Sequence, residues 1–153
     1  MASLADLHRA VQKTLASGRL GQPVFLRYLV RGSEGGEAIR ERMAQCIALA
    51  REWLHQSLVS VYAVGSPESC QVSLTLEFDG GATALLGYAS TPPQDAGVDL
   101  LLLGNHGALY HEAAASVHAE EAQRSDADAD IQAVLQRALH SGRPEPFAEE
   151  SEA

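Results

Sequence analysis

"CQVSLTLEFDGGATALLGYAS", residues 70–90, decides the fold. Apolar residues alternate with polar ones through its first half, which is the period of a strand with one buried and one solvent-facing side. The apolar set is Val72, Leu74, Leu76 and Phe78, and the polar set is Gln71, Ser73, Thr75 and Glu77. The segment "DGG" (79–81) is then expected to form a hairpin turn, because Asp-Gly readily adopts the positive φ angles of such turns, and residues 82–90 return as the partner strand.

Strand and helix patterns alternate on both sides of this hairpin. Strands are predicted over 24–30, 58–64, 98–104 and 108–112, where β-branched and aliphatic residues cluster between turn signals. Helices are predicted over 4–17, from the end of a flexible glycine-rich loop (31–37) to about residue 55, and from residues 126–128 to about 141. The fold class is therefore α+β: a single open mixed or antiparallel sheet of about five or six strands with helices packed on one face.

The second face of that sheet has no obvious helical cover in the sequence. It presents Gln71, Ser73 and Thr75, joined on the partner strand by either Ala84 and Leu86 or Leu85 and Gly87. A mildly polar face of this kind is either solvated or packed against another copy of the protein.

Length and composition predict one domain over residues 1–147, followed by an acidic flexible tail over 148–153. The net charge is −9, with eight Lys/Arg against five Asp/Glu in residues 1–56 and three against fifteen in residues 57–153. Acidity and an aromatic content of 5% argue against nucleic-acid binding. No apolar run is long enough for a membrane span and no signal-peptide pattern opens the chain, so a cytoplasmic location is expected.

The long helix has no side chain suited to acid–base catalysis on its predicted inner stripe. Histidine, carboxylate and lysine side chains are all missing from that stripe, which is formed by Ile39, Met43, Cys46, Ile47, Ala50 and Leu54. Neither Cys46 nor Cys70 lies in a Cys-x-x-Cys pattern or beside a base, so both are expected to be inert thiols.

The candidate ligand-binding residues are two histidines with a tyrosine between them, one further histidine and one arginine. His106 lies in the predicted turn "NHG", Tyr110 and His111 at a strand end, His55 at a helix end and Arg27 on the first strand. The spacing of these histidines matches no known metal-ligand pattern, so no metal site is predicted. The segment "DADAD" (126–130) lacks the glycine and glutamate of a calcium loop and is expected to be a solvated helix start.

The order of these segments, and several of their phrases, resembles the C-terminal domain of the glucose–fructose oxidoreductase/inositol dehydrogenase family. The matching phrases are "TLASGRLGQPVFLRY", "AREWLHQSLVSVYAV", "VSLTLEFDGGATALLGYAS", "VDLLLLGNHGALYHE" and "VLQRALHSGRPEPF". They run collinearly over about residues 8–147. The resemblance implies the same α+β fold and, since the open sheet face of the family often mediates dimerisation, a self-associating protein.

Departures from the family pattern bear on activity. We expect this chain to lack the family's Rossmann domain, because nothing precedes the crossover helix and "GSEGG" does not fit G-x-G-x-x-G. The family's histidine and aspartate, seven and four residues before the tryptophan, correspond here to Cys46 and Leu49. Neither residue can relay a substrate proton. No cofactor is therefore expected, and hydride transfer by this chain alone is not expected.

Two functions follow from this sequence. The first is a non-catalytic, stand-alone domain that acts in assembly, as a homo-oligomer through the open sheet face or as an accessory or regulatory subunit of a separate enzyme. The interface would then include Gln71, Ser73 and Thr75. The alternative is a cofactor-independent enzyme or small-molecule binder that uses a residual cleft with His106, Tyr110 and His111.

Overall fold

A computed structural model of the chain describes residues 4–113 and 129–147. The three helices are α1 (Leu4–Ala16), α2 (Gly36–Leu54) and α3 (Ala129–Ser141). The strands are β1 (Pro23–Gly32), β2 (Leu58–Ser66), β3 (Gln71–Phe78), β4 (Thr83–Ser90), β5 (Gly97–Gly104), β6 (Ala108–Ala113) and β7 (Glu145–Pro146). Two short 3₁₀ turns, Pro67–Ser69 and Pro93–Asp95, join strands. The tail over 148–153 and most of the "DADAD" segment lie outside the described residues.

All seven strands form one sheet in the order β6-β5-β1-β4-β3-β2-β7. The central pair, β1 and β4, is parallel, with Tyr28 opposite Leu86, and the other neighbouring pairs are antiparallel. This confirms the predicted α+β class with a single open mixed sheet. The strand count is higher than predicted because Glu145 and Pro146, which have the composition of a tail, pair with β2.

The three helices cover one face of the sheet and bury a single apolar core against it. α2 lies on the central strands β1 and β4, while α3 contacts β2 and α1 contacts β6. Along β1 the core-facing residues Leu26, Tyr28 and Val30 are buried, whereas their neighbours Arg27 and Leu29 are half-buried on the other side. We call these two sides the covered face and the open face.

Two predicted boundaries differ from the structure. The loop predicted over 31–37 is only residues 33–35, because Arg31 and Gly32 continue the pairing of β1 with β4, and α2 begins at Gly36. Cys70, predicted to open a strand, instead adopts a left-handed conformation with φ +60° and ends the turn before β3.

A glycine turn fixes the end of the sheet where β5 meets β6. Gly21 has φ +70°, and a Cβ added there would lie 2.0 Å from the side-chain oxygen of Asn105. Asn105 Oδ1 accepts a hydrogen bond of 2.8 Å from the backbone N–H of Gln22, and the N–H of His106 donates to the carbonyl of Leu20. A side chain at position 21 would break this contact, which is why the turn needs glycine.

Candidate functional site

The two positions to which the family resemblance assigns a proton relay, Cys46 and Leu49, lie in the core and at its margin. Cys46 lies on the side of α2 that packs against the covered face of the sheet, and its side chain is 3% exposed. Burial is the main cause that raises the pKa of its thiol to about 12. The thiol therefore stays protonated at neutral pH and is neither a base nor a nucleophile. Leu49, one turn further along α2, is partly buried and packs against the same core. This part of α2 holds no proton-transfer group.

A half-buried ion pair, which the sequence did not indicate, lies beside Cys46. The guanidinium of Arg42 donates to the carboxylate of Glu34 at 2.5 Å, and each side chain is 16% exposed. The backbone N–H of Glu34 donates to the hydroxyl of Tyr88 at 2.9 Å. Burial opposes the charge on Arg42, but the bond and charge of Glu34 outweigh that effect and raise the pKa of Arg42. These contacts tie the loop before α2 to both α2 and β4.

An aromatic cluster next to this ion pair holds a neutral histidine. His8 of α1 packs edge-on against Trp53, with ring centroids 5.3 Å apart, and its Nε2 lies 3.2 Å from the hydroxyl of Tyr28. Burial, followed by the positive charge of Arg42, lowers the pKa of His8 to about 4. An imidazole with so low a pKa is a poor base at neutral pH, so we assign it to packing.

The histidines predicted to bind a ligand are placed on separate parts of the sheet and helices. His106 is exposed in the β5–β6 turn against Gly21, and His55 is exposed at the end of α2, where it adopts a left-handed conformation with φ +52°. His111 lies opposite Leu100 on the side of β6 that faces the helices. Tyr110, its neighbour in the strand, points to the open face, because successive strand residues point to opposite sides.

Tyr110 and Arg27 share a row across the open face. Backbone register aligns six residues in that row: Tyr110, Leu101, Arg27, Leu85, Thr75 and Tyr62. The Tyr110 hydroxyl donates to Glu112 at 2.6 Å, and this bond is the main cause that raises its pKa. Within the described residues, the Nε of Arg27 is buried without a hydrogen-bond partner.

The predicted interface residues all lie on the open face. Ser73 pairs with Gly87 and Thr75 with Leu85, so of the two alternatives for the partner strand the structure has Leu85 and Gly87 on this side. Three of the five exposed large apolar side chains in the described part of the chain also lie here: Tyr62, Val64 and Tyr110. Sequence alternation located the residues of β3 on this face, but it gave no sign of how apolar the rest of the face is.

A separate cleft of about 600 Å³ opens between α2, the 3₁₀ turn after β2 and α3. Arg40, Glu68, Arg137 and His140 contribute its charged or titratable groups. Arg40 is paired with Glu37 at 3.2 Å and Arg137 approaches Glu145 at 4.0 Å. The positive charges of the lining are thus matched by neighbouring carboxylates, and the cleft carries no preference for one sign of ligand.

Two kinds of site have no counterpart among the residues that the structure describes. No group of three or more His, Cys, Asp or Glu side chains is placed to hold a metal ion there. None of the three described helices combines the length and apolar character required to span a bilayer.

Comparison with known proteins gives matches among solved structures. No protein-family profile matches the chain, and no curated protein sequence matches it. The myo-inositol 2-dehydrogenase from Lactobacillus plantarum aligns with a TM-score of 0.67 at 13% identity, over 94% of this chain and 62% of its own. The WlbA dehydrogenase from Bordetella pertussis, solved with NADH and UDP-GlcNAcA, aligns with a TM-score of 0.67 at 16% identity, over 93% and 60%.

A probable dehydrogenase from Thermotoga maritima aligns with a TM-score of 0.60 at 16% identity, over 69% of this chain and 38% of its own. This chain thus spans less than two thirds of the length of each of these proteins. Identity at this level shows a shared fold and nothing finer. The chain has the fold of a part of the inositol dehydrogenase-like oxidoreductases, in agreement with the resemblance found in the sequence.

Proposed function

We propose that this domain is a non-catalytic association module whose open sheet face binds another protein chain. The bound chain is a second copy or a subunit of a separately encoded enzyme that this domain completes or regulates. The observation that carries the proposal is the contrast between the two faces of one sheet: three helices cover one face, and no described helix covers the other.

The composition of the open face supports this role. Its central strands place Phe25, Leu29, Leu85 and Leu101 in half-buried positions, and its edges add the exposed side chains of Tyr62, Val64 and Tyr110. A surface of this kind, in which apolar and aromatic side chains are interspersed with an arginine and hydroxyl groups, is typical of protein–protein interfaces. The hydroxyl groups of Ser73 and Thr75 add polar contacts without a charge that would have to be desolvated.

The interior of the domain supports the non-catalytic part of the proposal. A buried thiol at Cys46 and a leucine at position 49 occupy the places where the family resemblance puts a proton relay. The half-buried ion pair nearby, Arg42–Glu34, has its two charges engaged with each other. Oxidation of a hydroxyl substrate by hydride transfer needs a proton acceptor at such a place, and the reverse reduction of the carbonyl needs a proton donor there.

The test is a charge on the open face, introduced by Thr75→Arg. Thr75 is half-buried in the central row, so an arginine there is expected to raise the dissociation constant of the assembly by at least tenfold while the domain stays folded. Size-exclusion chromatography with light scattering gives the mass, and circular dichroism checks the fold. Gln136→Arg, the same charge change on the exposed side of α3, is the matched control. An unchanged mass for the Thr75→Arg variant would contradict the proposal.

A further inference from the structure

We infer that the open face binds a second copy of this chain through a two-fold axis along β4, so that Arg27 of each copy contacts Thr75 and Glu77 of the partner. This inference rests on the proposed function and specifies its occupant and register. It follows from strand order, from the side chains of the two strands beside β4, and from the charge of the face.

The strand order makes β4 the centre of the sheet. Three strands lie on one side of it (β1, β5, β6) and three on the other (β3, β2, β7). A two-fold axis along β4, between two sheets stacked face to face, overlaps all seven strands of each copy and places β1 over the partner's β3. Rotation about such an axis does not change the position of a residue along the strand direction. Leu85 therefore faces Leu85 of the second copy, and Arg27 lies over Thr75 of the second copy.

The two strands brought together in this way are complementary. The polar side chains that β1 presents to the open face are hydrogen-bond donors, Arg27 and Arg31. Every side chain that β3 presents to it can accept a hydrogen bond: Gln71, Ser73, Thr75 and Glu77. Since each copy contributes one donor strand and one acceptor strand, the match occurs twice in a two-fold dimer.

Arg27 is the donor whose Nε has no hydrogen-bond partner among the described residues. Arg31 donates to Asp99 at 2.7 Å and to the carbonyl of Asp95, whereas the Nε of Arg27 is buried with no hydrogen-bond partner among the described residues. Glu77 lies two strands away and one open-face row further along, because it pairs with Thr83 whereas Arg27 pairs with Leu85, so the two residues are roughly 12 Å apart within one sheet. Packed sheets stand about 10 Å apart, a gap that an arginine from one sheet and a glutamate from the other span together.

Charge balance favours a second copy despite the acidity of the chain. The whole chain has a net charge of −9, which makes two copies repel each other in general. The charged side chains of the open face nearly cancel, with Arg27 and Arg31 against Glu77, Asp99 and Glu112. This face therefore allows close approach, and its separation of donors from acceptors sets the register.

The experiment is a charge exchange followed by mixing. Arg27→Glu and Glu77→Arg are each expected to raise the dissociation constant at least about tenfold, since each places like charges together twice in the dimer. The double variant R27E/E77R restores opposite charges and is expected to dimerise like the original chain. Arg27→Gln, which removes the charge without reversing it, replaces Arg27→Glu should that variant not fold by circular dichroism.

A mixing experiment then distinguishes an Arg27–Glu77 contact between two copies from one within a single copy. Original chains labelled with ¹⁵N are mixed with the unlabelled double variant, and native mass spectrometry counts mixed dimers. Repulsion at both pairs is expected to hold the mixed species below about a tenth of the statistical share. The control exchanges the exposed Asp6–Arg9 pair of α1 as D6R/R9E, and this variant is expected to mix freely.

The outcomes distinguish this inference from the proposed function. A dimer that tolerates both single variants and mixes freely with the double variant would overturn the register and leave the open face as an association surface. An original chain that stays monomeric would overturn this inference, and one that in addition captures no partner protein would overturn the proposed function as well. The reciprocal Arg27–Glu77 contact would be supported by three results together. Each single variant loses the dimer, the double variant recovers it, and the original chain and the double variant form separate homodimers on mixing.

Discussion

The two faces of this sheet differ in the burial and the chemical character of their side chains. On the covered face, residues such as Leu26, Leu74 and Leu86 have no exposed surface, and they pack against α1, α2 and α3. On the open face, residues one position away in the same strands are half-buried and chemically mixed, as Arg27, Thr75 and Leu85 illustrate. The backbone is the same for both faces, so the difference arises from the alternating sequence alone.

This difference is the basis of the proposed function. The covered face, where the family resemblance puts a proton relay, is closed by apolar side chains and by a thiol whose pKa burial raises to about 12. The open face retains arginine, hydroxyl and carboxylate groups in defined rows. Stability is thus expected to depend on the first face and association on the second, and substitutions can separate the two properties.

The largest effect on folding is expected for Leu74→Ala. Leu74 is completely buried on β3, so the substitution leaves a cavity in the core and should lower the free energy of unfolding by about 2–5 kcal/mol. Urea denaturation followed by circular dichroism measures the change. A loss below about 1 kcal/mol would show that the covered face does not carry the stability of the domain.

Acid is expected to have a somewhat smaller effect, through His8. Its folded-state pKa of about 4 lies below the ordinary value of 6.5, so the unfolded chain binds the proton more tightly. The free energy of unfolding should therefore be highest above pH 6.5 and decline as the pH falls toward 4, by at most about 3 kcal/mol. The decline should be smaller in His8→Gln, which cannot titrate.

Carboxylates also titrate in this range, so the informative quantity is the difference between the original chain and His8→Gln at each pH. His140→Gln, a change at the exposed end of α3, is the control and should keep the full decline. Parallel pH profiles for the original chain and His8→Gln would contradict the assignment of a buried neutral imidazole between Tyr28 and Trp53.

The smallest effect on folding is expected for Leu85→Ala, the open-face counterpart of Leu74→Ala. Leu85 is half-buried, so at protein concentrations where the chain is monomeric the loss should stay below about 1 kcal/mol. The dissociation constant of the assembly should rise nonetheless, because Leu85 lies in the central row. Equal losses of unfolding free energy for the two leucines would remove the distinction between the faces.

Local patterns predicted much of this fold. Period-two alternation identified β3 and its two faces, and helical spacing located the stripe of α2. The segment "DGG" (79–81) identified the turn after β3, but the positive φ of that turn lies at Gly81, at +91°, and not at Asp79 or Gly80. The strand β7 was missed because two residues, Glu145 and Pro146, carry no pattern of their own and form a strand only by pairing with β2. The parallel contact of β1 with β4 likewise depends on the whole sheet.

The candidate site was less predictable than the fold. Residues 71, 73 and 75 were placed on one face by alternation, which the register confirms. The Glu34–Arg42–Tyr88 contacts join positions up to 54 residues apart, a distance over which no spacing rule operates. The position of Arg27 opposite an acceptor strand across a two-fold axis depends on strand order, which is a property of the assembled sheet.

The most direct test of the central claim is the mass of the purified chain in solution, measured by light scattering over a range of concentrations. A chain of 16.3 kDa that associates through its open face should give a dimer mass that decreases on dilution and is lost in the Thr75→Arg variant. A monomer mass at every concentration, with no protein partner bound on affinity capture, would contradict the account.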